Sequence, residues 1–310
     1  MKNLPIKIVS TGRYAPDNIM TNDDFSKILD TNDEWITTRT GIKRRHIAQG
    51  ETAIDMAYKA ALKAVENKNY DKEKIDLIIV ASITSPVKTP SIANLIQAKL
   101  GLNHKNIVAF DINAACSGFV YAVEIAASMI SSGNYKSALV IGSEHMSSIL
   151  DWEDRSTAIL FGDAAGAAII EVSDNPKDNA YFWNGSRGDD TGILWIDPKV
   201  KMAGREVYKF AVDIMPKAIH KVLEKAGLTI DDIDYIIPHQ ANYRIIQSVA
   251  KDMNLPIERF LMNLEEYGNT SAASIPFLLD EHKTNNPEVK RVILVGFGGG
   301  FTWGAAILNV

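Results

Sequence analysis

Short unbroken runs of aliphatic residues alternate along the chain with longer stretches whose apolar positions recur every three to four residues. KIDLIIVAS (74–82), SALVIGSE (137–144) and GAAIIEV (166–172) are runs of the first kind, and 53–66 and 119–131 are alanine-rich stretches of the second. Strand patterns that alternate with helix patterns predict an α/β fold. The runs lack the polar alternation of a half-exposed sheet, so helices are expected on both faces of the sheet.

The same series then recurs. DIDYIIPHQ (232–240) parallels KIDLIIVAS, RVILVGFG (291–298) parallels SALVIGSE, and WGAAILNV (303–310) parallels AGAAIIEV (165–172). Matching Asp234 with Asp76, Gly296 with Gly142 and Gly304 with Gly166 keeps the order while the spacing shrinks. The first half therefore carries an extra loop, HMSSILDWEDRST (145–157). Short Val/Ile/Gly strings recur in many α/β proteins, yet three matches in sequence predict a duplication. The joint is expected near 172–178, where EVSDNPKDN supplies turn residues, giving halves 1–174 and 175–310.

At 310 residues the chain has room for two domains or one duplicated one. Its net charge of -5 provides no positive field for nucleic acid. The lone Cys116 cannot form an internal disulfide, which favours a reducing compartment. No run of about 18 apolar residues is present, and MKNLPIKIVSTG lacks the apolar core of a signal peptide, so no membrane partner and a cytoplasmic location are expected.

Cys116 follows the apolar run IVAF and directly precedes a helical pattern. At a helix N-terminus the free N–H groups and the macrodipole favour a thiolate, so Cys116 is expected to be an ionised nucleophile. A lone cysteine with no other clue reads instead as a small buried apolar residue. His239, in YIIPHQANYRII, lies just past a buried strand, where open α/β sheets bind ligands. Taken alone it is equally a polar loop residue. Asn269 opens a tract, 266–282, that mirrors the Cys116 turn and helix, and the duplication places it near the position of Cys116 in its own repeat. Without the duplication Gly268-Asn269 reads as a turn. GFGGGFTWG (296–304) joins strand to strand and lacks the third glycine of a dinucleotide loop. Its glycines permit a close backbone approach, with Gly299 a candidate oxyanion donor beside the Cys116 N–H; the alternative is a tight hairpin without a ligand.

Cys116 in NAACSGF, His239 in PHQAN, Asn269 in GNTSAAS, the terminal GFGGGFTWG, NDEWITTRTGIKRRHIA (32–48) and MAGREVYKFAV (202–212) together resemble the 3-oxoacyl-[acyl-carrier-protein] synthase III family of the thiolase superfamily. The resemblance implies a duplicated thiolase-like fold in αβαβα layers, a homodimer, and no cofactor or metal. It implies an initiating condensing enzyme of type II fatty-acid synthesis that joins a short acyl-CoA to malonyl-acyl carrier protein through an acyl-cysteine. In that pattern Cys116, His239 and Asn269 are catalytic. Trp35 and Arg155 sandwich the CoA adenine with help from Arg39, and Gly204, Tyr208, Ala241 and Asn242 line the pantetheine tunnel.

Tyr208 stands where members often have phenylalanine. Gln240, Ala241, Asn242, Tyr243 and Arg244 correspond to the carrier-protein contact. Lys251, seven residues beyond Arg244, shares its helix face; two such charges are also common on a merely solvated face. Thr89 falls where some members have an aromatic side chain that reaches the neighbouring subunit's acyl pocket, so a pocket that takes more than acetyl is expected. Two other readings fit the same scaffold: a synthase of specialised metabolism with another acceptor, and a non-catalytic subunit that binds CoA or carrier protein. A cysteine-dependent hydrolase is a further alternative.

Overall fold

In the computed structural model, which describes residues 4–175 and 178–310, the expected strands form two sheets. The first part of the chain gives β1 (Ile6–Tyr14), the short pair β2 (Ile19–Thr21) and β3 (Arg44–His46), then β4 (Leu77–Ala81), β5 (Val108–Ile112), β6 (Ser137–Glu144) and β7 (Ala164–Val172). The later part gives β8 (Tyr181–Ser186), the hairpin β9 (Leu194–Ile196) and β10 (Val200–Met202), then β11 (Tyr235–Pro238), β12 (Arg291–Gly298) and β13 (Thr302–Asn309). The helices are α1 (Asn22–Ser26), α2 (Asp33–Thr40), α3 (Ala53–Glu66), α4 (Ile92–Lys99), α5 (Gly118–Ser131), α6 (Arg155–Ala158), α7 (Gly204–Ala226), α8 (Tyr243–Asp252), α9 (Leu264–Tyr267) and α10 (Ser274–Asn285).

One sheet has the order β1-β7-β6-β4-β5 and the other β11-β12-β13-β8. In the first, β4 runs parallel to β6, which is antiparallel to β7; in the second, β11 runs parallel to β12, which is antiparallel to β13. The glycines matched in the sequence sit opposite one another in both sheets, Gly142 against Gly166 and Gly296 against Gly304. The matched aspartates also hold equivalent backbone. Asp76 accepts the Lys136 N–H at 2.8 Å, and Asp234 accepts those of Lys290 and Arg291 at 2.8 and 2.9 Å. Where β5 pairs with β4 along its length, the second sheet keeps a single bridge between Ile236 and Phe260.

The apolar runs are continuous because each strand is buried on both faces. In β4, Leu77, Ile79 and Ala81 face a central core, while Ile78 and Val80 pack with α3 and α4. In β12, Val292 and Leu294 face that same central core, while Ile293 and Val295 pack with α7 and α8. Helices α5 and α10 fill the centre between the sheets through Phe119, Val123, Ile275 and Leu278. The layers are therefore α3/α4, sheet, α5/α10, sheet and α7/α8, the thiolase-like αβαβα arrangement.

The extra loop of the first half becomes a 3-10 turn at Met146–Ile149 and α6, whereas β12 and β13 are joined by the tight turn Gly299–Phe301. The expected joint, 172–178, includes Pro176 and Lys177, which lie outside the described residues. Among the described residues no helix is long and apolar enough to cross a membrane, and no cluster of three or more His, Cys, Asp or Glu side chains could hold a metal ion.

Candidate active site

The two central helices begin with the same unusual turn. Ala115–Ser117 precedes α5 and Ser271–Ala273 precedes α10, each a single 3-10 turn entered through a left-handed non-glycine residue, Ala115 at φ 48° and Ser271 at φ 49°. Such backbone costs of order 1 kcal/mol or more, and it is held here by a side chain two residues earlier. Asn113 Oδ1 accepts the Ala115 N–H at 3.2 Å, and Asn269 Oδ1 accepts the Ser271 N–H at 2.9 Å. This shared turn sets the register between the repeats, which the sequence leaves only as nearness. Asn269 corresponds to Asn113, and the counterpart of Cys116 is Ala272. Asn269 reaches the site of Cys116 as a neighbour across the two halves rather than as its equivalent.

Each turn packs on the strand tip of the opposite half. A methyl group at Gly142 in β6 would collide with the Ala272 carbonyl oxygen, and one at Gly298 in β12 would lie 2.6 Å from the Cys116 nitrogen. Glycine at both places lets a turn approach a strand at backbone distance.

Ser271 links the three candidate catalytic residues. Its N–H holds Asn269, its hydroxyl lies 3.4 Å from the Cys116 sulfur, and its carbonyl accepts from Ser274 Oγ at 2.9 Å. Ser274 Oγ is in turn 2.8 Å from His239 Nδ1. The His239 ring also meets Phe297 edge to face at 5.5 Å, which fixes its plane. Cys116, His239 and Asn269 line one cavity of about 660 Å³ together with Gly299, Gly298, Phe297 and Ile83.

The ionised thiol expected from the sequence is not what this environment favours. Cys116 sits in the turn before α5, buried, and burial pushes its thiol up to about 12; the Glu144 carboxylate acts in the same sense and the Ser271 hydroxyl opposes it. Burial also pulls the His239 imidazole down to about 3, so the ring is neutral at neutral pH. Glu144, at the end of β6, is completely buried and pushed up to about 7 by that burial. It accepts from Thr84 Oγ1 at 2.6 Å, the Ile83 N–H at 3.1 Å and Ser271 Oγ at 3.0 Å. Neither Glu144 nor Ser271 stands out as a site residue in the sequence. Glu144 is the one charged residue in its apolar run, and that is the signal it carries.

The other sequence-predicted residues divide. Trp35, Arg39, Gly204, Tyr208, Ala241 and Asn242 line the same cavity. The guanidinium carbons of Arg39 and Arg155 lie 4.4 and 4.6 Å from the Trp35 ring centre. Arg155 also donates to the Asp30 carbonyl at 2.5 Å. An adenine between Trp35 and Arg155 needs about two contact distances, roughly 7 Å, so Arg155 must swing outward to admit one. Tyr208 Oη is 2.7 Å from Ser248 Oγ, so its extra oxygen is paired within the protein. Asn242 caps α8 by accepting the Arg244 N–H at 2.8 Å.

Arg244 and Lys251 are both exposed on α8, and Tyr243 is half-buried beside them. Gln240 departs from its expected role as a carrier-protein contact. It is 1% exposed, with Nε2 donating to the Pro238 and Leu261 carbonyls and Oε1 accepting the Asn263 N–H, so no partner protein can reach it. Thr89 is exposed and does not line the cavity of its own chain.

Models of the 3-oxoacyl-[acyl-carrier-protein (ACP)] synthase III family match residues 110–184, and those of its C-terminal part match 223–310. The chain is 47% identical to beta-ketoacyl-[acyl-carrier-protein] synthase III of Clostridium acetobutylicum over 98% of each chain. It is 48% identical to the protein of that name from Aquifex aeolicus, over 98% of this chain and 99% of the other. The crystal structure of 3-oxoacyl-[acyl-carrier-protein] synthase III from Aquifex aeolicus superposes with a TM-score of 0.95 at 46% identity, covering 98% of this chain and 100% of that one. With a duplicated fold, a shared cavity and near full-length kinship in agreement, the chain belongs to the 3-oxoacyl-[acyl-carrier-protein] synthase III family, the initiating condensing acyltransferases of fatty-acid synthesis.

Proposed function

We propose that Cys116 carries the acyl group in this reaction and that His239 and Asn269 stabilise the negative charge of the extender. The observation that supports this most directly is the convergence on Ser271, which joins Cys116, Asn269 and, through Ser274, His239 at one cavity. The Cys116 sulfur adds to the thioester carbonyl of a short acyl-CoA, and CoA leaves with the thiol proton. The backbone N–H groups of Cys116 and Gly299 hold the intervening oxyanion.

Malonyl-acyl carrier protein then enters. The Ser274 hydroxyl has one proton, which it can give to the Ser271 carbonyl or to His239 Nδ1. In this step it goes to Nδ1, so the neutral His239 ring carries its own proton on Nε2 and donates it to the malonyl thioester oxygen. Asn269 donates from Nδ2, its Oδ1 being occupied by Ser271. Loss of CO2 gives an enolate whose carbon attacks acyl-Cys116. The products are 3-oxoacyl-carrier protein and, after protonation, the free thiol.

In this reading Trp35, Arg39 and Arg155 take the adenine, and Gly204, Tyr208, Ala241 and Asn242 line the pantetheine tunnel. Tyr243, Arg244 and Lys251 offer a basic stripe to an acidic carrier. The protein works as a cytoplasmic homodimer without cofactor or metal, its halves divided at 174/175, and Thr89 acts on the acyl pocket of the neighbouring subunit. The division is supported by strand order: the larger sheet ends at Val172 and the smaller begins at Tyr181.

Acetyl-CoA labelled in the acetyl group tests the scheme. The label should appear on Cys116 without malonyl-carrier protein and move to 3-oxoacyl-carrier protein when it is added; label that leaves as free acid would identify a hydrolase instead. Trp35→Ala should raise the KM for acyl-CoA about 3- to 10-fold, the value of one aromatic stacking contact. Its KM for an acyl-pantetheine thioester, which has no adenine, should stay unchanged in the same steady-state assay.

A further inference from the structure

The Cys116 sulfur hydrogen-bonds to Ser271 Oγ at 3.4 Å, and Ser271 Oγ donates to Glu144 Oε1 at 3.0 Å. The chain of contacts is directional. The carboxylate can only accept, so the hydroxyl proton points to Glu144 and the oxygen lone pairs are turned to the thiol. All three groups are buried: Ser271 and Glu144 have no exposed surface and Cys116 has 8%. Cys116, 3.4 Å from Ser271, belongs to one half of the duplication and Ser271 to the other, so this chain of contacts exists only in the assembled fold.

We propose that Ser271 and Glu144 form a proton relay that serves Cys116 during acyl transfer. As the sulfur bonds to the thioester carbon, its proton passes to Ser271 Oγ while the Ser271 proton passes to Glu144. When the tetrahedral intermediate collapses and the carbon–sulfur bond to CoA breaks, the proton returns through Ser271 to the CoA sulfur. Thiol and thioester become thioester and thiol, and Glu144 is again a carboxylate. Ser271 touches the reacting sulfur; Glu144 acts through it and is a positioning residue.

Two further facts support the relay. A neutral buried thiol needs a base, and the neighbouring imidazole, pulled down to about 3, is a weak one. Glu144 is pushed up to about 7, where a general base for neutral pH belongs. Cys116 is the titratable group facing it; the other groups against the carboxylate are the Ser82, Thr84 and Ser271 hydroxyls and the N–H groups of Ile83 and Ala272. The base form grows as pH rises through about 7, so acylation should accelerate over that interval and then level off.

The proposal rests on Cys116 being the acylated residue, and the experiment separates the two. The rate of acyl-enzyme formation from acetyl-CoA is followed by rapid quench and intact-mass measurement from pH 5.5 to about 9, and iodoacetamide alkylation of Cys116 is followed in parallel as a probe that needs no acyl-CoA recognition. Wild type should show the rise near pH 7 in both. Glu144→Gln should lose that rise and acylate about 100-fold more slowly. Glu144→Asp should recover part of the rate with a displaced rise.

Ser271→Ala should match Glu144→Gln, and the double variant should be no slower than either. Ser271→Ala is a well-tolerated change because alanine already occupies the equivalent left-handed position, Ala115; it decides the matter if Glu144→Gln fails to fold. Unchanged rate and pH profile in Ser271→Ala would overturn the relay. Absence of any label on wild-type Cys116 would overturn the acyl-cysteine reading itself.

Discussion

His239→Ala and Asn269→Ala should each lower malonyl-carrier protein decarboxylation about 100- to 1,000-fold, the usual effect of removing one donor from a charge-stabilising pair. Acylation of Cys116 should stay close to the wild-type rate in both. The division follows from the contacts. The sulfur's partner is Ser271 Oγ, whereas in the proposed scheme Asn269 Nδ2 and His239 Nε2 are donors for an enolate oxygen that arises only in the second stage. Intact-mass measurement of the acyl-enzyme, read beside release of labelled CO2, distinguishes the stages. Loss of acylation in both variants would mean that the imidazole and the amide serve the first stage as well, and the proposed division would fall.

Gly298→Ala should lower acylation by about 100-fold while the protein remains folded. The added methyl group would lie 2.6 Å from the Cys116 nitrogen and 2.9 Å from the Ala115 side chain, and the first of these is backbone that cannot rotate away. A displacement of about 1 Å at a reacting group is enough for a loss of that size. The same step moves the Cys116 N–H away from where it would meet an oxyanion. Gly188→Ala is the matched control: nothing lies within 4 Å of the added carbon, and its acylation rate should equal that of wild type. A normal acylation rate in Gly298→Ala would show that the placement of the Cys116 turn against β12 does not govern acylation.

Most of the frame was legible because fully buried strands leave a strong mark. β6 and β12 match the runs 137–144 and 291–298 residue for residue, and α3 matches 53–66. Duplication supplied the topology, since a pattern seen twice constrains both copies. Local contacts that the pattern does not encode were the ones misread. The pattern places Asn269 only near the position of Cys116, because both stand beside a helix start; the register itself is fixed by a side chain accepting an N–H two residues ahead, which Asn113 and Asn269 share.

Gln240 looks like surface in a polar string, yet the carbonyls of Pro238 and Leu261 consume its amide. The state of the Cys116 thiol depends on burial and on a carboxylate 28 residues away in sequence, so helix position alone gave the wrong direction. Ser271 lies inside the motif GNTSAAS, but its partner Glu144 is 127 residues distant, and only the packed halves bring them together.

The two matching turns meet different strand tips, and this difference divides labour between the copies. Glu144 ends β6 and holds the Ala272 N–H, while Gly298 ends β12 in the equivalent position and brings bare backbone against the Cys116 turn. A sulfur transplanted by Ala272→Cys would therefore enter a turn whose N–H is already held by a carboxylate, whereas the Cys116 N–H adjoins a glycine with no side chain to hold it. A second nucleophile at that turn would need the strand tip rebuilt as well as the sulfur supplied.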